Sequence, residues 1–130
     1  MIPLQHSLPL RFNYEFSRVY KRGRFIPGRF IVVHCFKRPL HLRHNNLRVP
    51  TDINRIGFSV TRKVNSAVER NRCRRLLKES YRLIEGELRV GYDIVFMLKQ
   101  IDPIPAFDQI QDEMRRLLRR MDILSNGDQT

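Results

Sequence analysis

Cysteine, tryptophan and glycine are scarce in this chain of 130 residues, which contains two, none and six of them. Two cysteines are too few for a disulfide framework, and Cys35 and Cys73 both stand among apolar residues. We therefore expect buried thiols and a reducing cytoplasm. His34, His41 and His44 lack a second pair of ligands at the spacing of a metal site, so no metal bound by a protein motif is predicted.

Long apolar runs and catalytic groupings are also absent from the sequence. No stretch of about 20 apolar residues is present to span a membrane. The first ten residues lack the basic start and apolar centre of a secretory signal. The chain has no Ser/His/Asp grouping and no glycine loop of the kind that cradles phosphate. We therefore expect no catalytic residue on the protein and no membrane partner.

Positive charge, in contrast, is in large excess. The chain has 25 Lys+Arg against 13 Asp+Glu, a net charge of +12 and a pI near 10.8. Residues 1–82 carry 19 basic and 4 acidic side chains, whereas residues 83–130 carry 6 and 9. A polyanion is the natural partner of such a segment, because each neutralised phosphate releases counterions. A soluble protein that is merely basic is the alternative at this point.

Hydrophobic periodicity predicts a single α+β domain over residues 1–130, with flexible ends at 1–10 and 122–130. The order is an α-β-β-β-α-β-α sandwich with a mainly antiparallel four-stranded sheet. Helical spacing or strand-like runs define the elements: a helix at 14–22, strands at 24–26, 30–36 and 55–61, a helix from 67, a strand at 92–98 and a helix at 105–121.

Two segments of the chain can each be interpreted in two ways. Residues 37–54 form a long loop with two prolines, and its positive charge could bind RNA or simply be solvated. Phe12, Phe16, Val19 and Tyr20 recur at i, i+4, i+7 and i+8, which makes an aromatic stripe along the first helix. Its rings can pack in the core, or one or two can stay accessible as stacking surfaces for bases.

The helix that begins at Ala67 is the most heavily charged segment. Ser66 and Glu69 fit a capping box, which fixes the helix start and gives Glu69 a structural role. A helical wheel separates an apolar side from a basic side. The apolar side holds Cys73, Leu76, Leu77, Ser80 and Ile84; the basic side holds Asn71, Arg74, Arg75, Lys78 and Arg82, with Arg70 and Arg72 at its boundaries. Because like charges at this spacing repel, their grouping predicts a phosphate-binding face.

The strand, turn and helix together resemble the protein subunit of bacterial ribonuclease P. That family has a strand, a Lys-rich turn and then Ala-Val-x-Arg-Asn-Arg-x-Lys/Arg-Arg on a helix. The matching stretches are RIGFSV at 55–60, Arg62-Lys63 and AVERNRCRRLLK at 67–78. Upstream, Phe16, Val19-Tyr20 and Gly23 match the family's first helix and its end.

The resemblance implies a protein cofactor of a ribozyme that removes 5′ leaders from precursor transfer RNA in the bacterial cytoplasm. The RNA subunit would carry the endonuclease chemistry with magnesium ions. The implied partners are ribonuclease P RNA and precursor transfer RNA, not DNA. The family fold also implies a left-handed crossover through the Arg-rich helix, against the usual hand.

The resemblance further assigns two sets of site residues. Contacts to the catalytic RNA are expected from Arg62, Lys63, Arg70, Asn71, Arg72, Arg74, Arg75 and Lys78. A cleft for the leader is expected from Phe16, Tyr20, Val32, His34, Ser59 and Lys63.

The chain departs from the family where Asn65-Ser66 replaces the usual Gly-Asn before Ala-Val. Asn tolerates positive φ and Ser caps helices well, so the turn can be kept. A non-catalytic RNA- or ribosome-binding protein could use the same charged helix and is the main alternative. A DNA-binding module is less favoured, because the opposite side of the helix is expected to pack on the sheet.

Overall fold

A computed structural model of the protein describes residues 4–40, 42–44, 47–61, 66–99 and 103–124. Three helices pack on a five-stranded sheet, with a separate two-stranded sheet in the long loop. The elements in chain order are β1 (Ser7–Pro9), α1 (Asn13–Arg22), β2 (Arg24–Pro27), β3 (Ile31–Lys37), β4 (Arg43–His44), β5 (Leu47–Arg48), β6 (Asn54–Val60), α2 (Ala67–Arg82), a 3₁₀ turn (Glu85–Glu87), β7 (Tyr92–Leu98) and α3 (Phe107–Arg120).

The α+β class and the predicted order of elements are confirmed, but two details of the predicted sheet are wrong. The sheet has five strands in the order β1-β6-β7-β3-β2, not four. It is also not mainly antiparallel: β2-β3 and β3-β7 are antiparallel, whereas β1-β6 and β6-β7 are parallel. β6 and β7 are parallel because α2 carries the chain back from the end of β6 to the start of β7. The left-handed crossover stays a prediction.

Three segments that were expected to lack regular structure contribute to the fold. Ser7–Pro9, in the end predicted to be flexible, pairs with Asn54, Arg55 and Ile56 of β6. At the other end Leu124 is buried and forms an isolated bridge with Leu88. Residues 125–130 of the predicted flexible tail lie outside the described residues. The long loop at 37–54 contains the short β4-β5 pair.

Side-chain alternation along the strands divides the sheet into two faces. α2 and α3 cover one face, where they bury Ile31, Val33, Ile94 and Phe96 with the helix residues Cys73, Leu77, Met114 and Leu117. α1 covers part of the other face, where Val19 packs with Val95 and Leu10. Cys35 and Cys73 are buried free thiols as predicted, and burial raises the pKa of Cys35 to about 12.

The helix starts differ in how well the sequence defines them. Ser66 is the N-cap of α2, and its hydroxyl accepts from the Glu69 amide at 3.0 Å, as predicted. At the start of α1, Asn13 is the residue whose type favours an N-cap, but it is the first helical residue and Phe12 is the N-cap. The carboxylate of Glu15 accepts from the amides of Arg11 and Phe12 at 2.8 and 3.0 Å instead. A buried acid thus satisfies donors at a helix start that lacks a polar cap.

Glu113 of α3 anchors the hairpin between β2 and β3. Its side chain is buried, and its two carboxylate oxygens accept from three successive amides, Arg29, Phe30 and Ile31, at 2.9, 2.8 and 2.7 Å. A Cβ on Gly28 would overlap this carboxylate, so the glycine is required for the close approach. One acidic side chain therefore fixes α3 against the start of β3.

We expect Glu113→Gln to lower the free energy of unfolding by about 2–3 kcal/mol, because an amide accepts these three bonds less well than a carboxylate and its NH₂ group meets a backbone donor. Urea unfolding monitored by circular dichroism measures the change. Asp112→Asn, at the exposed neighbouring position, is the matched control and should stay within about 0.5 kcal/mol of the unchanged protein. Equal stability of the two variants would contradict the role given to Glu113.

Candidate RNA interface

α2 presents a basic face, most of which is exposed to solvent. Asn71, Arg72, Arg74 and Arg75 are exposed, while Arg70 and Lys78 are half-buried. Arg74 donates to the side-chain oxygen of Asn71 at 3.1 Å. Among the residues that the structure describes, no carboxylate lies within ion-pairing distance of Arg72, Arg74, Arg75 or Lys78. The structure thus brings together all the residues of this helix that were predicted to contact the catalytic RNA. We call Arg70, Asn71, Arg72, Arg74, Arg75 and Lys78 the basic face.

Arg82 departs from the predicted pattern of the helix. It was placed on the basic side, but it is half-buried and donates from Nε to Glu79 at 2.9 Å. Arg72, Arg74, Arg75 and Lys78 therefore precede the last turn of α2, where the charge of Arg82 is balanced by Glu79.

The opposite side of α2 holds the helix in place despite the repulsion between its charges. Cys73, Leu77, Ser80 and Tyr81 are buried against the sheet and α3, and Ile84 follows them into the core. Burial of one large apolar side chain stabilises by about 1.5–3 kcal/mol. A like-charge pair on a helix costs only a few tenths of a kcal/mol. Packing therefore outweighs repulsion, and the fold can keep a cluster of cations at its surface.

An open pocket of about 450 Å³ lies where the basic face meets the edge of β6. Its apolar part includes Phe16, Ile56 and Phe58, and Arg74, Arg75 and Lys78 line it from α2. The ring of Phe16 lies so close to Gly57 that a Cβ at that position would overlap it. Phe16, predicted for the leader cleft, therefore lies in the same pocket as three of the cations.

Three other residues predicted for the leader cleft meet on the sheet face that α1 covers. The Tyr20 and His34 rings are T-shaped with centroids 4.8 Å apart. The Tyr20 side chain is hydrogen-bonded to Ser59. Burial raises the pKa of the Tyr20 phenol, and this effect exceeds the lowering of the pKa by the hydrogen bond. Burial also lowers the pKa of His34. Tyr20 is 41% exposed, so this cluster is open to solvent. Because the pKa of the phenol is raised and that of the imidazole is lowered, both rings are uncharged near neutral pH.

Val32 forms the floor beside this cluster rather than part of its accessible surface. It is buried, and it pairs across the sheet with Met97, which in turn pairs with Ser59. These three residues form one row on the α1 face. Arg62 and Lys63, predicted for the turn before α2, lie outside the described residues, so their roles stay predictions.

The sequence did not indicate Phe25, which joins the same cluster. Phe25 is 66% exposed, and its ring stacks on His34 with centroids 5.7 Å apart and an angle of 30° between planes. The two residues are cross-strand partners in the hairpin of β2 and β3. The available signal was the hairpin register around Gly28, which places both rings on one face.

Part of the positive charge in the long loop is structural. Arg38 is buried; its guanidinium bonds to Asp93 at 2.8 Å and to the carbonyls of Pro50 and Ile53 at 2.6 Å each. Arg38 is thus committed to the fold and not to a ligand. Within the described ranges, no group of three or more His, Cys, Asp or Glu could hold a metal ion. In those same ranges, no helix has the length and apolar character needed to cross a bilayer.

Comparison with known proteins gives one consistent result. The family model described as Ribonuclease P matches residues 4–122. The ribonuclease P protein component of Alkaliphilus metalliredigens is 34% identical over 122 residues, covering 94% of this chain and all of the relative (100%). That of Clostridioides difficile is 35% identical over 115 residues, covering 88% and 91%.

Solved structures agree with the fold. The RNase P protein of Staphylococcus aureus has a TM-score of 0.70 at 24% identity, covering 89% of this chain and 96% of that one. The RNase P protein of Thermotoga maritima, in complex with 1-(4-fluorophenyl)-2-thiourea, has a TM-score of 0.67 at 25% identity, covering 85% and 97%. The five-stranded sheet and its three helices are therefore shared with these proteins.

We expect His34 to titrate below its ordinary pKa of 6.5 in the folded protein, because burial disfavours the charged imidazole. The unfolded chain then binds this proton more readily. The stability contributed by the neutral ring is therefore complete above pH 6.5 and is lost as the pH falls through the lower pKa of the folded state. NMR titration of the imidazole in folded and denatured protein measures the difference, and His34→Asn should remove this part of the pH dependence. A folded midpoint at or above the denatured one would refute the prediction.

Proposed function

The chain belongs to the ribonuclease P protein component family, and from that premise we propose that it binds ribonuclease P RNA together with the 5′ leader of precursor transfer RNA. In this role it supports endonucleolytic removal of the leader during maturation of the transfer-RNA 5′ end. The observation that carries the proposal is the basic face of α2, whose exposed arginines lie unpaired on a helix packed against the sheet.

The basic face suits the catalytic RNA because arginine presents a planar fork that matches phosphate oxygens. Arg72, Arg74 and Arg75 project from a helix whose other side is buried, so their backbone positions are fixed before RNA binds. Contacts of this kind supply affinity and orientation, and they carry little base readout. This suits a partner that is recognised by its folded shape.

The cluster on the α1 face suits a single-stranded leader. Tyr20, His34 and Ser59 offer two rings and a hydroxyl on a surface without net charge near neutral pH. Unpaired bases stack on aromatic rings with little preference for sequence, because every base has a π-face. A protein that acts on many different leaders needs that tolerance.

We place the chemistry and its magnesium ions on the RNA subunit. The buried carboxylates of the protein are occupied by donors of the fold: Glu15 and Asp93 by Arg55, Glu85 by the amides of Gln5 and His6, and Glu113 by three amides of the β2–β3 turn. Acids held in this way stabilise the protein and are not offered to a substrate. The protein then contributes binding and positioning.

A non-catalytic protein that binds structural or ribosomal RNA could use the same basic face. The aromatic cluster on the α1 face of the sheet distinguishes the two proposed functions, because only binding of the leader requires it. Dependence of activity on leader length is therefore the discriminating measurement.

Reconstitution tests the proposal directly. Added to bacterial ribonuclease P RNA at low magnesium concentration, the protein should accelerate cleavage of precursor transfer RNA, and a long leader should benefit more than a leader of one nucleotide. The physical reason is that the protein adds contacts to the leader and neutralises phosphates that would otherwise require magnesium. Absence of any stimulation would reject the proposal, and equal stimulation of both substrates would favour the structural RNA-binding alternative.

Replacement of Arg72 and Arg75 by alanine should weaken binding to ribonuclease P RNA and flatten its salt dependence. Loss of two phosphate contacts should reduce the slope of log K against log salt by about 1.4–1.8. The matched control is Arg119→Ala with Arg120→Ala, which removes the same charge from exposed positions of α3. Filter binding over a salt series measures both slopes. If the control pair flattens the slope equally, net charge rather than the basic face determines affinity.

A further inference from the structure

Phe25 is the most exposed aromatic side chain among the described residues, with 66% of its surface accessible. It lies on β2, which is one of the two edge strands of the five-stranded sheet. A phenylalanine this exposed gains little from core packing, because most of its apolar surface stays in water. Its two neighbours on β2 serve the fold: Arg24 donates to the carbonyl of Met121 at 3.2 Å, and Ile26 packs against the main core.

Phe25 is the outer member of a row of three rings. It stacks on His34 at 5.7 Å, and His34 makes a T-shaped contact with Tyr20 at 4.8 Å. The rings come from three elements, β2, β3 and α1, so the row is built by the tertiary fold and not by one flexible segment. The inner end is tied to Ser59 of β6 through the hydroxyl of Tyr20.

The position of Phe25 leaves one side of its ring for a ligand. His34 covers the inner side, and the other side is directed to the free edge of the sheet, since β2 has no strand beyond it among the described residues. The exposed cations Lys21 and Arg22 end α1 just before β2 begins. Single-stranded nucleic acid is bound by aromatic rings together with positive charge, and an exposed ring that follows two exposed cations along the chain fits this pattern.

We propose that the outer side of the Phe25 ring stacks one unpaired base of the leader, beyond the bases that contact Tyr20 and His34. The inference rests on the proposed function, and it adds a stacking position that extends the leader cleft to the edge of the sheet. Because stacking depends on a π-face common to all bases, the position selects for leader length and not for sequence.

A series of precursor transfer RNAs with leaders of increasing length tests the position in the reconstituted holoenzyme. Phe25→Ala should weaken substrate binding between about 5-fold and 150-fold once the leader is long enough to reach Phe25, and should not change it for a leader of one nucleotide. Phe25→Trp should retain the affinity. Phe107→Ala is the matched control: it removes a partly exposed ring at the start of α3, which packs on the opposite side of the sheet.

Two outcomes would overturn the inference: unchanged binding of Phe25→Ala at every leader length, or an equal loss with the one-nucleotide leader. The second would assign the ring to the RNA subunit or to folding, and thermal unfolding of the variant separates these two. Failure of the proposed function is recognised separately, because the unchanged protein would then not stimulate cleavage at all. In that event, the affinity of the protein alone for a short single-stranded RNA tests the stacking position. Phe25→Ala should weaken that binding, and an unchanged affinity would reject the stack.

Discussion

The buried carboxylate of Asp93 joins more parts of this fold than any other polar group described. It accepts from Arg55 of β6 with two bonds of 2.8 Å and from Arg38 at 2.8 Å, while Arg55 also binds Glu15 of α1. Arg38 in turn holds the carbonyls of Pro50 and Ile53. Any arrangement that separated these groups would leave a buried charge unpaired, at a cost of about 3–5 kcal/mol. The network therefore determines where α1 lies on the sheet, and with it the position of Tyr20.

The buried network contains arginines of a different class from those of the basic face. Arg38 and Arg55 are buried and bind Asp93, whereas Arg72, Arg74 and Arg75 are exposed on α2 without a described acidic partner. The net charge of +12 indicated a polyanion partner, but it could not say which cations would face that partner. What separates the classes is local packing: α2 buries an apolar side and so turns its charges outward, while the strand residue Arg55 lies where two acids converge.

Elements with a local pattern in the sequence were predicted, whereas features that depend on contacts distant in sequence were not. β6, α2 and β7 were predicted within one or two residues because each has a local period and a clear cap or break. β1 was missed because three residues carry no period and its partners in β6 are far away in sequence. The parallel pairing of β6 with β7 is likewise a property of the connection through α2. The basic face was predicted from spacing alone, whereas the leader cleft came from family resemblance. Phe25 was missed because periodicity gives the side of a strand and not the neighbour across it.

The two candidate surfaces differ in the interaction that each would use to bind RNA. On the proposed function, the basic face would bind through charge, so salt would weaken its affinity steeply. The row of Phe25, His34 and Tyr20 would bind through stacking on uncharged rings, an interaction that salt affects much less. Phe16 lies between them, over Gly57 and beside Arg74. On the proposed function, the first surface would attach the protein to the catalytic RNA and the second would hold the leader. Because one sheet supports both surfaces, binding of the catalytic RNA at the first would position the leader at the second, and this placement is what the protein would contribute to cleavage.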